Sequence, residues 1–162
     1  MLWKVRFCMM ILAIDPGPTK SAYVVFECRN AIIGSFGILA NEEMRSVYPG
    51  VAFHAERCVI EKIASYGMPV GEEVFETVFW SGIFAHSFGL DKVERITRQQ
   101  IKMHLCGSPR AKDANIRQAC MDRFGGSQSI KKGGPLYGVK ADVWAALAVA
   151  LAFADGVRQK QK

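Results

Sequence analysis

One short segment constrains the fold of this chain more than any other, an apolar run that ends at an acid and a turn. The run is ILAI at residues 11–14, and Asp15, Pro16 and Gly17 follow it directly. Four apolar residues stopped by a turn are typical of a buried strand. The strand therefore presents one carboxylate at its carboxyl end, and a carboxylate in that place commonly faces a metal ion or a phosphate.

Length and composition indicate one globular domain. The chain has 162 residues, half of them hydrophobic, which is enough for one core. No apolar run reaches the ~18 residues of a membrane span. A signal peptide is not expected, because the first apolar run leads into an acid and a proline rather than a small-residue cleavage site. The domain is placed at residues 10–156, between an N-terminal extension at 1–9 and a basic C-terminal tail at 157–162.

The cysteines indicate a reducing compartment. Five are present, at positions 8, 28, 58, 106 and 120, and none forms a CxxC pair. An odd number without that spacing favours free thiols in the cytoplasm over a disulfide framework or a zinc site.

The net charge of +6 is concentrated in one part of the chain. Residues 92–132 hold ten Lys and Arg against three Asp and Glu, a local charge of +7, and the rest of the chain is close to neutral. A basic segment on a neutral domain suggests a polyanionic partner. An ordinary solvated surface explains the same charge, so composition alone leaves both interpretations open.

The order of predicted elements indicates an α/β fold. Strands are predicted at residues 11–14, 21–27, 31–39, 58–61 and 93–96. Helices are predicted at residues 71–85, 98–105, 113–124 and 140–155. The first three strands are joined by connections too short for crossovers, so they form an antiparallel meander, and the later strands alternate with helices. We expect a mixed five-stranded sheet flanked by helices, with residues 41–57 ambiguous and the Gly-rich segment 125–138 a mobile loop.

Three acids interrupt apolar sequence where burial is expected. Asp15 ends the first strand, Glu61 ends the fourth, and Asp142 lies in the first turn of the last helix. A lone buried carboxylate costs several kcal/mol unless it is paired or binds a metal. If the three acids converge at one sheet edge, they can share two Mg²⁺ ions ~4 Å apart, which would hold a phosphodiester and activate water.

Each acid also has an ordinary explanation. Asp15 precedes Pro-Gly and could be a turn residue. Glu61 could pair with Lys62, and the helix dipole favours an acid at position 142 in any case. The spacing alone does not decide between these alternatives.

Four short motifs occur in one order along the chain. They are ILAIDPG at 11–17, VIE at 59–61, RAK at 110–112 at the start of a helix, and AD at 141–142 leading into ALAVA at 146–150. Together they resemble the RuvC family of Holliday-junction resolvases, and most closely its short phage members, over about residues 10–155.

The resemblance implies an RNase H-like fold and an endonuclease that nicks four-way junctions and other branched DNA during recombination. It implies two Mg²⁺ ions per active site, with Mn²⁺ as a substitute. It also implies a homodimer that is located in the cytoplasm of a bacterium or of a phage-infected host. By the same resemblance Asp15, Glu61 and Asp142 are metal ligands, and Lys112 is a basic residue that assists catalysis.

The sequence departs from the family at one position. Bacterial members carry a fourth acid three residues after the one that matches Asp142, and here that residue is Ala145. Asp113 is a possible substitute. Asp155 is not, because thirteen residues at about 100° each place it off the face of Asp142.

Basic side chains before the Gly-rich loop are expected to contact DNA phosphates, which give affinity rather than sequence choice. They are Arg95, Arg98, Lys102, Arg110, Lys112 and Arg117. Lys112 has an additional expected role, to offset charge at the scissile phosphate, although it could also be a plain phosphate or solvent contact. Lys131 and Lys132 are expected to close on DNA, unless their loop is simply disordered.

An aromatic residue follows the fourth strand. Tyr66, if exposed beside the acids, could enter the centre of a junction and stack on a base, a contact worth ~1–3 kcal/mol; a core tyrosine is the alternative. The three histidines show no ligand spacing and are interpreted as structural, with His104 a possible phosphate contact. The apolar run of Val78, Phe79 and Trp80 suggests a dimer interface.

Two other functions compete with the nuclease as explanations of the sequence. Ala145 motivates the first, a catalytically weak or inactive protein of the same fold that binds branched DNA. The second is a kinase or ATPase of the actin-like class, whose first strand also ends in Asp and a glycine turn. The chain is too short for the two domains that such enzymes need, and it lacks a Gly-rich phosphate loop.

Overall fold

The computed structural model describes residues 9–52 and 54–160. It contains five strands and five α-helices along these ranges. The strands are β1 (Met10–Asp15), β2 (Lys20–Glu27), β3 (Ile32–Ala40), β4 (Arg57–Lys62) and β5 (Val93–Thr97). The helices are α1 (Asn41–Ala52), α2 (Glu72–Phe88), α3 (Arg98–Cys106), α4 (Asp113–Arg123) and α5 (Val143–Lys160), with short 3-10 helices at Leu90–Lys92 and Gly126–Ile130.

The five strands form one mixed sheet in the order β3-β2-β1-β4-β5. The β1–β2 and β2–β3 pairs are antiparallel, and the β1–β4 and β4–β5 pairs are parallel. This confirms the predicted meander followed by parallel strands. The central position of β1 explains its apolar sequence, because side chains on both of its faces are buried.

Helices cover both faces of the sheet. Alternate residues of β1 enter two separate cores, with Ile11 and Ala13 on the side of α5 and Leu12 and Ile14 on the side of α2. The α5 helix packs on the four strands β1 to β4, as its nearly all-apolar sequence predicts. None of the described helices has both the length and the hydrophobicity needed to cross a membrane.

Several element boundaries differ from the sequence prediction for local reasons. The ambiguous segment 41–57 contains α1, a 12-residue helix that includes Pro49. The α2 helix continues past residue 85 and ends at Gly89, whose φ of 111° breaks the helix. The α5 helix begins three residues later than predicted, because Ala141 has a φ of 46°. It continues to Lys160, within the range assigned to the tail.

The Gly-rich segment 125–138 is anchored to the core. This differs from the sequence prediction, which described the segment as a mobile loop. Leu136 is fully buried in the core under α5, and its N–H donates to the carbonyl oxygen of Ser129 at 2.8 Å. A Cβ atom at Gly134 would collide with that same carbonyl group. The loop therefore has a defined path.

Replacement of Leu136 tests the anchoring of this loop. Leu136→Ala is expected to lower the free energy of unfolding by about 2–4 kcal/mol, because it leaves a cavity in a packed core. The neighbouring Tyr137 is 58% exposed, and Tyr137→Ala is the matched control, with an expected change within about 0.5 kcal/mol. Urea unfolding measures both, and equal effects would contradict the described path.

Candidate active site

Asp15 and Glu61 lie side by side at the carboxyl ends of two parallel strands. Ala13 of β1 is opposite Val59 of β4, and both belong to the core on the α5 side of the sheet. Side chains alternate along a strand, so the acids two residues further on project toward the same side. Strand geometry alone therefore brings the two carboxylates together.

Asp142 is the residue directly before α5, and it brings a third carboxylate to this edge of the sheet. Its carbonyl oxygen accepts hydrogen bonds from the N–H groups of Ala145 and Ala146 at 3.0 and 3.1 Å. It is therefore the residue that caps the helix, not a residue of the first turn as predicted. Its side chain is exposed, in contrast to the burial that its sequence context suggested.

The three carboxylates act on one another electrostatically. The pKa of Asp15 is raised from 3.8 to about 8, first by burial, then by the neighbouring carboxylate of Glu61, with smaller contributions from Asp142 and Asp113. Burial also raises the pKa of Glu61. Arg98 opposes both shifts and is the cation with the largest effect on each group. The site is therefore an acidic cluster whose carboxylates repel one another.

Arg98 lies inside the acidic cluster. Its guanidinium donates from one nitrogen to Glu61 Oε2 at 3.1 Å and from another to Asp113 Oδ1 at 2.7 Å. Arg98 is the first residue of α3, and a capping box between Thr97 and Gln100 fixes the start of that helix. The sequence placed Arg98 among the phosphate contacts, but two carboxylates hold it in the structure.

A buried polar network fixes the turn that follows Asp15. Ser21 donates to Asn41 Oδ1 at 2.7 Å, and Asn41 Nδ2 donates to the carbonyl oxygen of Gly17 at 2.9 Å. The N–H of Gly17 completes the network by donating to Ser21 Oγ at 3.2 Å. A side chain at Gly17 would collide with the Lys20 carbonyl oxygen, so the turn requires glycine.

The donor set suits a hard divalent cation. Asp15, Glu61 and Asp142 provide only carboxylate oxygens, the ligands that Mg²⁺ and Mn²⁺ prefer. A cation would also relieve the repulsion that raises the pKa of Asp15. Within the described ranges, however, no three His, Cys, Asp or Glu side chains are gathered closely enough to hold one ion. A single ion held by all three carboxylates would therefore require side-chain movement, and one oxygen of Glu61 already accepts a hydrogen bond from Arg98.

The other acidic candidates have separate partners. Asp113, at the start of α4, is held by Arg98. Asp155 accepts two hydrogen bonds from Arg123, at 3.1 and 2.7 Å, and lies 2.7 Å from Nε2 of His104. This network ties α3, α4 and α5 together through Asp155. Ala145 lies in the first turn of α5, next to the cap at Asp142.

The predicted DNA contacts differ in their surroundings. Lys112 caps α4 through its backbone N–H, which donates to Asn115 Oδ1 at 2.9 Å, and its side chain is exposed. The Arg117 guanidinium lies over the Trp144 ring, 5.1 Å from its centroid. Tyr66 is exposed in the turn after β4 and has a φ of 50°. The side chains of Arg95, Arg110, Lys131 and Lys132 are exposed, and that of Lys102 is half-buried.

Two grooves adjoin the acidic cluster. One of about 470 Å³ is lined by Glu61, Lys62 and Arg95, and one of about 450 Å³ by Asp113, Arg117, Lys140 and Trp144, each among other residues. Lys62 and Lys140 were not singled out from the sequence as polyanion contacts. Lys62 directly follows Glu61 in the chain and Lys140 lies two residues before Asp142, and this proximity was the available signal.

Comparison with solved structures confirms the RNase H-like architecture. The structure of Thermus thermophilus RuvC matches with a TM-score of 0.75 and 17% identity, covering 94% of this chain and 97% of that one. The structure of T. thermophilus RuvC in complex with Holliday junction substrate matches with a TM-score of 0.69 and 16% identity, covering 94% and 96%. Sequence comparisons with family models and with curated proteins find no match.

The raised pKa of Asp15 makes stability depend on pH. In the unfolded chain this carboxyl group titrates near 3.8, whereas in the folded protein its pKa is about 8. Between these values the folded state holds more protons, so the free energy of unfolding falls as the pH rises, by at most about 1.4 kcal/mol per pH unit for one group. Denaturant unfolding with chelator from pH 5 to 8.5 measures this slope. Asp15→Asn should flatten it, and identical slopes in the two proteins would contradict the burial of this carboxylate.

Proposed function

We propose that this protein is a metal-dependent, structure-selective endonuclease that nicks Holliday junctions and other branched DNA. The observation that carries the proposal is the pairing of Asp15 with Glu61 at the carboxyl ends of β1 and β4, with Asp142 beside them. A cluster of hard oxygen ligands on this fold suits metal-assisted phosphodiester hydrolysis. The similar structure with bound Holliday junction substrate supports branched DNA as the substrate class. The proposed setting is DNA recombination in the cytoplasm.

In this proposal Asp15, Glu61 and Asp142 hold two Mg²⁺ ions, or Mn²⁺ in their place. When bound, such ions activate a water nucleophile and stabilise the leaving oxygen of an in-line displacement. Lys112, exposed at the start of α4, offsets negative charge that develops at the scissile phosphate. Hydrolysis is expected to leave 5′-phosphate and 3′-hydroxyl ends.

The basic residues around the cluster position the DNA. Arg95 and Lys62 line the groove at Glu61, and Arg117 and Lys140 line the groove at Asp113, so a phosphate backbone can approach the acids from either side. Lys102, Arg110, Lys131 and Lys132 extend this basic surface. Binding through these contacts is expected to weaken steeply with salt.

Tyr66 is proposed to stack on an unpaired base at the branch point. It is 49% exposed. Tyr66 and Gly67, both with positive φ, are the central residues of a turn closed by the hydrogen bond from the Met68 N–H to the Ser65 carbonyl oxygen at 3.0 Å. Aromatic side chains bind bases without sequence preference, as recognition of a branched structure requires.

A nicking assay on a synthetic four-way junction tests the enzyme proposal. With Mg²⁺ or Mn²⁺ the protein is expected to nick the junction much faster than a linear duplex. Asp15→Asn should reduce the rate at least about 100-fold while junction binding persists, because it removes a ligand and no phosphate contact. Asp122→Asn, a substitution of an exposed acid on α4, is the control and should leave the rate unchanged.

A second candidate function is branched-DNA binding with little or no cleavage. Ala145 in place of a fourth acid favours it, as does the hydrogen bond that Arg98 makes to Glu61. The same assay separates the two functions. Tight junction binding without nicks in either metal would contradict the nuclease and support the binding protein.

We also propose that the protein is a homodimer that uses α2. Phe75, Val78 and Phe79 are 65%, 51% and 60% exposed on this helix, and neighbouring exposed apolar side chains of this size are typical of an interface. Two identical active sites would suit symmetrical cutting of a four-way junction.

Sedimentation velocity at micromolar concentration tests the dimer. The protein is expected to be dimeric, and Phe75→Glu combined with Phe79→Glu should give a folded monomer, because the charges oppose burial of the patch. Ile32 on edge strand β3 is 55% exposed, and Ile32→Glu is the control that should remain dimeric. A monomeric unsubstituted protein would contradict the proposed interface.

A further inference from the structure

The Arg98 guanidinium joins two carboxylates that differ in their surroundings. The Glu61 side chain is 9% exposed and the Asp113 side chain is 79% exposed. Each carboxylate receives a hydrogen bond from a different guanidinium nitrogen, at 3.1 and 2.7 Å respectively. Because neither contact is bidentate, the bond to Glu61 can break while the shorter bond to Asp113 persists.

Arg98 supplies the positive charge of the cluster when no metal is bound. It is the cation that most strongly opposes the raised pKa values of Asp15 and Glu61. Its own side chain is 29% exposed, so its charge is screened less than that of a surface residue. The oxygen of Glu61 that it contacts is also one that a divalent ion would use as a ligand.

We propose that Arg98 competes with the divalent cation for Glu61, and that Asp113 retains the displaced guanidinium beside the site. This inference rests on the metal-dependent function proposed above and assigns regulation of that metal site to two residues outside the ligand set. Arg98 is thus a positioning residue that holds Glu61 in the metal-free protein. Asp113 is its anchor and does not replace the acid missing at Ala145.

The charge of Arg98 determines whether its removal raises or lowers the affinity for a divalent cation. A guanidinium next to the ligands repels any incoming cation, and the repulsion scales with the charge of that cation. Removal of Arg98 therefore removes a positive charge that opposes any incoming cation, and it frees the Glu61 oxygen that the guanidinium contacts. The affinity for metal should rise.

Calorimetric titration of Mn²⁺ into the metal-free full-length protein tests the competition. Arg98→Met keeps an unbranched side chain but removes the charge, and it is expected to bind Mn²⁺ about five- to tenfold more tightly. Arg98→Lys restores the charge and should return the affinity to within about twofold of the unsubstituted protein. Arg123→Met removes an arginine that contacts Asp155 instead, and it should leave Mn²⁺ affinity unchanged. An Arg98→Met protein that is folded and binds Mn²⁺ equally or more weakly would overturn the proposal.

A double-mutant cycle tests the anchor. If Asp113 acts through Arg98, Asp113→Asn should weaken Mn²⁺ binding at least about threefold more in the presence of Arg98 than in Arg98→Met. Equal weakening in both backgrounds would identify Asp113 as a ligand in its own right and overturn its role as anchor. Cooperative thermal unfolding of each variant shows that it is folded. The Arg98→Lys protein is a second variant at the same position, so a folding defect in one variant does not decide the result.

The junction-nicking assay separates this inference from the proposed function. A protein that binds Mn²⁺ in the predicted order of variants but never nicks DNA would retain the competition and lose the nuclease. A protein that nicks junctions but binds Mn²⁺ no more tightly after Arg98→Met would retain the nuclease and lose the competition.

Discussion

The rest of the site depends on the repulsion between two carboxylates that the sheet places side by side. Asp15 and Glu61 end adjacent parallel strands on the same face, and burial together with their mutual repulsion raises the pKa of Asp15 to about 8. Such an arrangement is unfavourable unless protons, a positively charged side chain or a metal ion compensate it. In the structure the positively charged side chain is Arg98, and the proposed function requires the metal ion.

The fold supports this arrangement from several directions. The core strand β1 is buried on both faces, so the position of Asp15 cannot shift without disturbing two hydrophobic cores. The network of Ser21, Asn41 and Gly17 holds the turn beyond it. The left-handed conformation of Ala141 starts α5 at the point that leaves Asp142 at the site. A left-handed alanine and a buried polar network therefore both adjoin the acids, as expected where a structure holds functional groups in place.

The sequence was sufficient to predict the parts of the site that follow from local patterns. Short apolar runs predicted β1 and β4, and an acid at the end of each run suggested that Asp15 and Glu61 could converge at one edge of the sheet. The segment before β4 was ambiguous in the sequence, and the structure shows the parallel pairing of β1 with β4. The hydrogen bond from Arg98 to Asp113 could not be predicted from the sequence, because it depends on how α3 and α4 pack against the sheet. Periodicity likewise predicted α2 as a helix, and the run Val78, Phe79 and Trp80 suggested an interface. The sequence could not show that Phe75 is exposed together with Phe79, whereas Trp80 packs against the core. The exposure of Asp142 was missed because a left-handed alanine has no sequence signal comparable to that of glycine.

The most direct test of the central claim is a crystal structure of the protein with Mn²⁺, with anomalous diffraction used to locate the metal. We expect anomalous peaks contacted by carboxylate oxygens of Asp15, Glu61 and Asp142, with the Arg98 guanidinium no longer bonded to Glu61. The absence of any peak at this edge of the sheet at millimolar Mn²⁺, with the contact between Arg98 and Glu61 intact, would contradict that claim.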